Sequence, residues 1–352
     1  MTNVQNLTDH TISGLVSSYF PGAFPLVRLR RTRQDARMRA LVRETRLHID
    51  QLIYPIFVVD GVSHPQAIAS MPGIMQWPVE EVAREAERTA QLGIKVIMLL
   101  GASSEKDEIG SQAFACDGVM QKAIRTLKAE IPDLCIIANI CPCTFTSHGY
   151  CGIVKDGIVQ NDDTLQLLAQ AAISVAEAGA DIIAPSDMMD GRVGAIRQVL
   201  DQYGHANTPI MSYSAKFASC LYGPYHEAMK STSSPLAQDA HVGNISVGHQ
   251  LDPANAREAM REVEQDINEG ADIVIIKPAL LYLDVIRRVR ERFDVPIVAY
   301  NIGGEYSMLK LAAQQGWVDE RLIVEESLTA ILRAGADMII TYWALQVADW
   351  LA

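Results

Sequence analysis

Apolar residues along this chain gather in short continuous runs instead of alternating with polar ones. Eight runs rich in Ile, Val, Leu and Ala recur at residues 53–58, 95–100, 134–140, 181–184, 209–213, 271–277, 296–300 and 337–342. Such runs suit strands buried on both faces, as in a parallel sheet. The segments between them carry the helical period. Residues 79–92 and 255–268 are the clearest amphipathic cases, joined by 165–178, 191–201, 282–292 and 322–333.

One junction repeats. Ala-Gly-Ala-Asp occurs at 178–181 and 334–337, and Glu-Gly-Ala-Asp at 269–272, each time just before an apolar run. Glycine readily takes the left-handed conformation that ends a helix, so each junction reads as helix stop and strand start. Eight strands alternating with helices predict an α/β fold, the (β/α)8 TIM barrel. An open doubly wound sheet is the other candidate, but no Gly-x-Gly-x-x-Gly follows an early strand. Two regions exceed the minimal barrel. Residues 1–45 form an N-terminal arm before the barrel of 46–352. Residues 217–252, after strand five, are rich in Ser, Gly and His, and read as an active-site lid.

Composition narrows the function. With 42 acidic against 30 basic residues the net charge is −12, which argues against a nucleic-acid partner. Yet residues 26–46 hold eight arginines against Asp35 and Glu44. A basic arm beside an acidic body predicts docking within or between subunits, with a solvated charged segment as the plain alternative. The sequence offers no signal-peptide pattern and no apolar run long enough for a membrane span, so a cytoplasmic protein is expected. Three of the six cysteines fall within 141–151, which points to metal rather than disulfides.

Barrel enzymes carry their chemistry at the C-terminal strand ends. Strand five ends beside Lys216 and strand six at Lys277. Burial and a second ammonium nearby both favour a neutral amine, the form that attacks a carbonyl to make a Schiff base. The structural alternative pairs these lysines with carboxylates such as Asp187 or Asp190. Cys141, Cys143 and Cys151 supply three thiolates in one loop, which suits Zn²⁺ with a fourth position open. His148 within the loop is a candidate fourth ligand, and three unligated thiols are the alternative. Ser186 and Asp187 end strand four, Tyr300 strand seven and Tyr342 strand eight. Each could touch substrate or simply pack, and Tyr213 reads as a core aromatic near Lys216.

These residues resemble the porphobilinogen synthase (5-aminolevulinate dehydratase) family. The likeness runs over most of 28–350, through Arg28-Leu29-Arg30-Arg31, Met71-Pro72-Gly73, Thr146-Ser147-His148-Gly149-Tyr150-Cys151-Gly152 and Ala184-Pro185-Ser186-Asp187-Met188-Met189-Asp190-Gly191. It continues through Met211-Ser212-Tyr213-Ser214-Ala215-Lys216-Phe217, Tyr222-Gly223-Pro224, Lys277-Pro278, Gly304-Glu305-Tyr306 and Tyr342. The resemblance implies a lyase that joins two amino ketones into a pyrrole, with the first substrate on Lys277 and the second on Lys216. It implies Zn²⁺ on the three cysteines, a Mg²⁺ ligand of some members at Glu262, and a homo-oligomer, an octamer or one built from dimers.

The departures share a direction. Asn139 stands where the family has aspartate, and Tyr225-His226 where it has Phe-Arg. The lid stretch 244–250 ends in His249-Gln250 without the family's arginine. Gly303 replaces a serine, and Leu281 a proline. Arginine grips a carboxylate bidentately, and neither histidine nor serine reproduces that geometry. The expectation is therefore a paralogue whose amino ketone lacks the 5-aminolevulinate carboxylate, lined by Tyr225, His226, Gln250 and Gly303. The ordinary synthase of tetrapyrrole synthesis and a non-catalytic homologue are the alternatives.

Overall fold

Eight parallel strands close into a barrel in the computed structural model, which describes residues 24, 26–229 and 248–352. The rest of the arm and the middle of the expected lid, 230–247, lie outside the described residues. The strands are β1 (Leu52–Val59), β2 (Val96–Ala102), β3 (Cys135–Ile140), β4 (Ile182–Pro185), β5 (Met211–Lys216), β6 (Ile273–Lys277), β7 (Ile297–Asn301) and β8 (Met338–Thr341). Hydrogen-bonded neighbours run β4-β3-β2-β1-β8-β7-β6-β5. The seam closes where Ile183 bridges Ile210 and its N–H donates to Pro209 O at 3.0 Å. The barrel expected from the apolar runs is the fold observed.

Helices α1 (Val82–Gln91), α2 (Val119–Glu130), α3 (Asn161–Glu177), α4 (Arg192–Gln202), α5 (Ala256–Glu269), α6 (Leu283–Arg292), α7 (Glu320–Ala334) and α8 (Ala344–Leu351) follow the successive strands. The sequence pattern missed α2 and α8, and a further helix at Gly303–Gln314. It also missed Gly223–Met229, a short helix inside the expected lid.

The repeated junction has a second function beyond stopping helices. Gly179, Gly270 and Gly335 take φ of +107°, +107° and +126°. The aspartate two residues later then caps the neighbouring strand. Asp181 accepts from Ile136 N at 2.7 Å, Asp272 from Ile210 N at 2.8 Å and Asp337 from Ile297 N at 2.8 Å. Three of the strand pairs are thus pinned at the bottom of the barrel, away from the lysines.

The residues fall into two units, Met1–Arg46 and Leu47–Ala352. In the first, a 3₁₀ turn at Leu29–Arg33 precedes a helix at Ala36–Leu41, whose N-terminus Asp35 caps through Arg37 and Met38 N–H. Neither element buries a residue, and Leu29 and Leu41 are 76% and 74% exposed. None of the described residues of this unit is buried.

Removing one bottom cap should loosen the barrel without touching the lysines. Asp272→Ala is expected to lower unfolding stability by about 1–3 kcal/mol, the cost of an unpaired strand-end N–H. Chemical denaturation of the variant measures it, and an unchanged midpoint would rule out the capping role.

Candidate active site

Lys216 and Lys277 are direct register partners on the adjacent parallel strands β5 and β6. Both side chains are buried. Among the described residues neither lysine has a carboxylate within ion-pair distance, so the alternative pairing with Asp187 or Asp190 is not formed. Lys216 Nζ donates to the carbonyl oxygen of Ser186.

Around Lys277 the barrel builds an aromatic cup. Its nitrogen lies 4.7 Å from the Tyr300 ring centre, 4.9 Å from Tyr225, 5.0 Å from Tyr222 and 5.4 Å from Tyr213. Tyr342 stacks on Phe57 at 5.6 Å, and its hydroxyl sits 3.0 Å from that of Tyr300. Ring faces attract an ammonium and so retain some of its charge. Desolvation opposes that, and the neighbouring Lys216 adds to the opposition, so Lys277 falls to about 7. A lysine there is substantially neutral near neutral pH, as the sequence led us to expect.

Lys216 departs from that expectation. Burial pulls it down, but the three cysteine sulfurs and Asp187 outweigh burial and hold it above the usual lysine value. The sulfurs converge: Cys141 Sγ is 3.0 Å from Cys143 Sγ and 3.4 Å from Cys151 Sγ, all buried. Its contacts with the Cys143 and Cys151 sulfurs hold Cys141 below the usual thiol range, while Cys143 and Cys151 are raised. Three buried sulfurs with one readily ionised member form a donor set that fits Zn²⁺. His148 is engaged elsewhere, with Nδ1 accepting from Tyr150 N and Nε2 facing Glu108 O at 3.1 Å. Glu262 belongs to no cluster of three or more ligand groups among the described residues. Its carboxyl is raised by partial burial and by Asp266.

The remaining candidates divide. Asp187 Oδ1 accepts from Met189 N at 2.8 Å, supporting the left-handed turn at Met188, while its buried Oδ2 has no partner. Burial raises it to about 6. Ser186 Oγ reaches Ile140 O at 3.3 Å. Tyr213 donates to Met98 Sδ. His226 packs edge-on against Tyr222 and Tyr225, and burial with both lysines lowers it to about 4. A side chain on Gly303 would press on Met71 Sδ and Pro224, so this position faces packing instead of open space. Gln250 is half-buried directly before Leu251, whose N–H donates to Lys216 O at 3.0 Å.

Two supports escaped the sequence reading. Glu305 is fully buried and accepts from Ala279 N, Leu280 N, Ile302 N and Asn301 Nδ2, at 2.6 to 3.1 Å. It ties the end of β7 to the loop that follows Lys277. Arg192 pairs with Asp266 at 2.9 Å and donates to Ser212 Oγ and Tyr213 O, both at 3.0 Å, bracing β5 behind Lys216. The one available signal was a charged residue on the apolar face of a helix, as Asp266 is on α5.

The chain is similar to known proteins over nearly its whole length. The family model for delta-aminolevulinic acid dehydratase matches residues 26–350. Proteins of that name from Halalkalibacterium halodurans and Archaeoglobus fulgidus are each 50% identical, over 92% and 93% of this chain and 96% and 99% of their own lengths. That of Bacillus subtilis is 49% identical over 92% of this chain and 98% of its own. The structure of delta-aminolevulinic acid dehydratase (porphobilinogen synthase) from Toxoplasma gondii, in complex with the product porphobilinogen, aligns over 94% of this chain and 92% of that one. Its TM-score is 0.88 at 40% identity.

The lowered Lys277 gives a pH signature. Its neutral fraction grows as pH rises through about 7. Borohydride trapping of a ketone on Lys277 should therefore accelerate with an apparent pKa near that value. An acceleration centred near the ordinary lysine value of about 10.4 would contradict the cup's effect.

Proposed function

The chain belongs to the delta-aminolevulinic acid dehydratase family, and on that premise we propose that it condenses two molecules of 5-aminolevulinate into porphobilinogen, each held as an imine on one of the two lysines. The observation that carries this reading is the register pairing of Lys216 and Lys277 inside one buried cup. Adjacent strands lie about 4.8 Å apart, which brings imines on the two side chains within reach of each other. Each amine adds to a keto carbon and expels its oxygen as water. A carbon–carbon and a carbon–nitrogen bond then join the two substrates as the lysines are released, so two substrates yield one pyrrole and two waters.

The protein's groups divide the work. Lys277, neutral and cradled by aromatic rings, captures a ketone without prior deprotonation. Glu305 fixes the loop beyond it, and the Arg192–Asp266 pair fixes the strand carrying Lys216. The buried aromatic wall around Lys277 limits the access of water that would hydrolyse an imine there. Cys141, Cys143 and Cys151 would hold Zn²⁺, which supplies Lewis acidity and offsets the sulfur charge beside Lys216. Glu262 is our candidate for a Mg²⁺ ligand. The exposed, arginine-rich segment 26–46 is our candidate for contact with a second copy of the chain, which the mass of an assembly lacking residues 1–46 would address.

One observation favours a second reading, an amino ketone with a neutral tail. The described wall of the cup is tyrosine, phenylalanine and histidine, and no arginine occurs between Arg197 and Arg257. Relatives sharing half their residues with this chain bear the dehydratase name, and they weigh toward the ordinary substrate.

Incubating the purified enzyme with 5-aminolevulinate, and separately with aminoacetone, separates the readings by pyrrole colour with Ehrlich reagent. Porphobilinogen is expected from the first, falling at least about a thousandfold in Lys216→Met or Lys277→Met. Pyrrole from aminoacetone alone would transfer the assignment to the neutral tail. Cys143→Ala should lose bound zinc by metal analysis and most activity with it; full activity without metal would remove Zn²⁺ from the reading.

A further inference from the structure

The returning end of the lid is fixed to the strand that carries Lys216. Leu251 N donates to Lys216 O at 3.0 Å, Ala218 N donates to Leu251 O at 2.9 Å, and Phe217 bridges Leu251 in parallel. His249 lies two residues before this anchor. Both of its ring nitrogens are buried, and neither has a hydrogen-bond partner among the described residues.

An imidazole with both nitrogens sealed and unpaired is costly, on the order of 1–3 kcal/mol for each group. A fold tolerates that where a ligand supplies the missing partner. Burial, with the positive charge of Lys216 added to it, lowers His249 to about 4. The ring is then neutral and offers one N–H and one lone pair. A neutral donor can approach the bound molecule without repelling the adjacent ammonium.

We infer that His249 is a substrate-binding residue, donating a hydrogen bond to an oxygen on the tail of the amino ketone held at Lys216. The inference rests on the imine reading above and narrows it. It assigns tail recognition on this side to a single directional N–H, in a stretch of chain that contains no guanidinium. The tail it fits is an oxygen acceptor, such as the carboxylate of an amino-keto acid.

The test is borohydride trapping on the Lys216 peptide, followed by mass spectrometry, at rising concentrations of 5-aminolevulinate or of aminoacetone, which lacks the acidic tail. In His249→Phe the concentration that half-traps 5-aminolevulinate should rise by about tenfold or more, the loss of one hydrogen bond to a charged acceptor. Aminoacetone should trap as in the parent, and His249→Gln, which keeps an N–H donor, should recover most of the loss. Equal shifts for both ketones would make His249 a scaffold residue and overturn the inference, as would no shift for either. If the parent enzyme traps aminoacetone but not 5-aminolevulinate, tail binding by His249 is overturned while the imine chemistry stands. Trapping of neither ketone on either lysine would sink the functional reading and the inference together.

Discussion

Two amines at the same level of adjacent parallel strands set the terms for the rest of this barrel. Strand direction and register put Lys216 and Lys277 side by side, and closure of the sheet aims both inward. Two ammonium groups so placed repel each other and lose their water. The cheapest relief is for one of them to shed its proton. What surrounds each amine decides which one does. Lys277 meets aromatic rings and no carboxylate, and is lowered. Lys216 faces three sulfurs and Asp187, and is held protonated until that negative charge is balanced.

The polar groups behind the cup follow from the same strain. A buried lysine on a loose strand would swing toward water, so each strand end is tied from behind. Glu305 satisfies four N–H donors between β7 and the loop after β6. Arg192, itself fully buried, joins Asp266 on α5 to the backbone of β5. Burying such groups is costly, and it is tolerated here because nearly every donor and acceptor is paired. Among the described residues the unpaired buried atoms near Lys216 include Asp187 Oδ2, Arg192 Nε and the two nitrogens of His249.

Substrate recognition is where the chain departs from the motif it otherwise keeps. The relatives at half identity support the ordinary reaction, whereas the described wall holds tyrosines and histidines in the stretch where the family pattern carries arginine. A neutral imidazole and a guanidinium differ in reach as well as charge. An acid tail in this cup would therefore be held by fewer, more directional bonds, within the positive field of the lysines themselves.

The sequence alone determined the barrel, because a strand buried on both faces must be apolar throughout and each Gly-Ala-Asp junction punctuates the chain locally. It also determined the two lysines and the cysteine trio, whose spacing confines three sulfurs to one loop. Tertiary structure decided the rest. The four rings around Lys277 come from β5, β7 and the Gly223–Met229 region, the carboxylate of Glu305 serves a loop 25 residues away in the chain, and the opposite shifts of the two lysines depend on neighbours contributed by other strands. Local pattern records which side chains must be buried; which charges they meet once buried is a property of closure, and no single segment carries it.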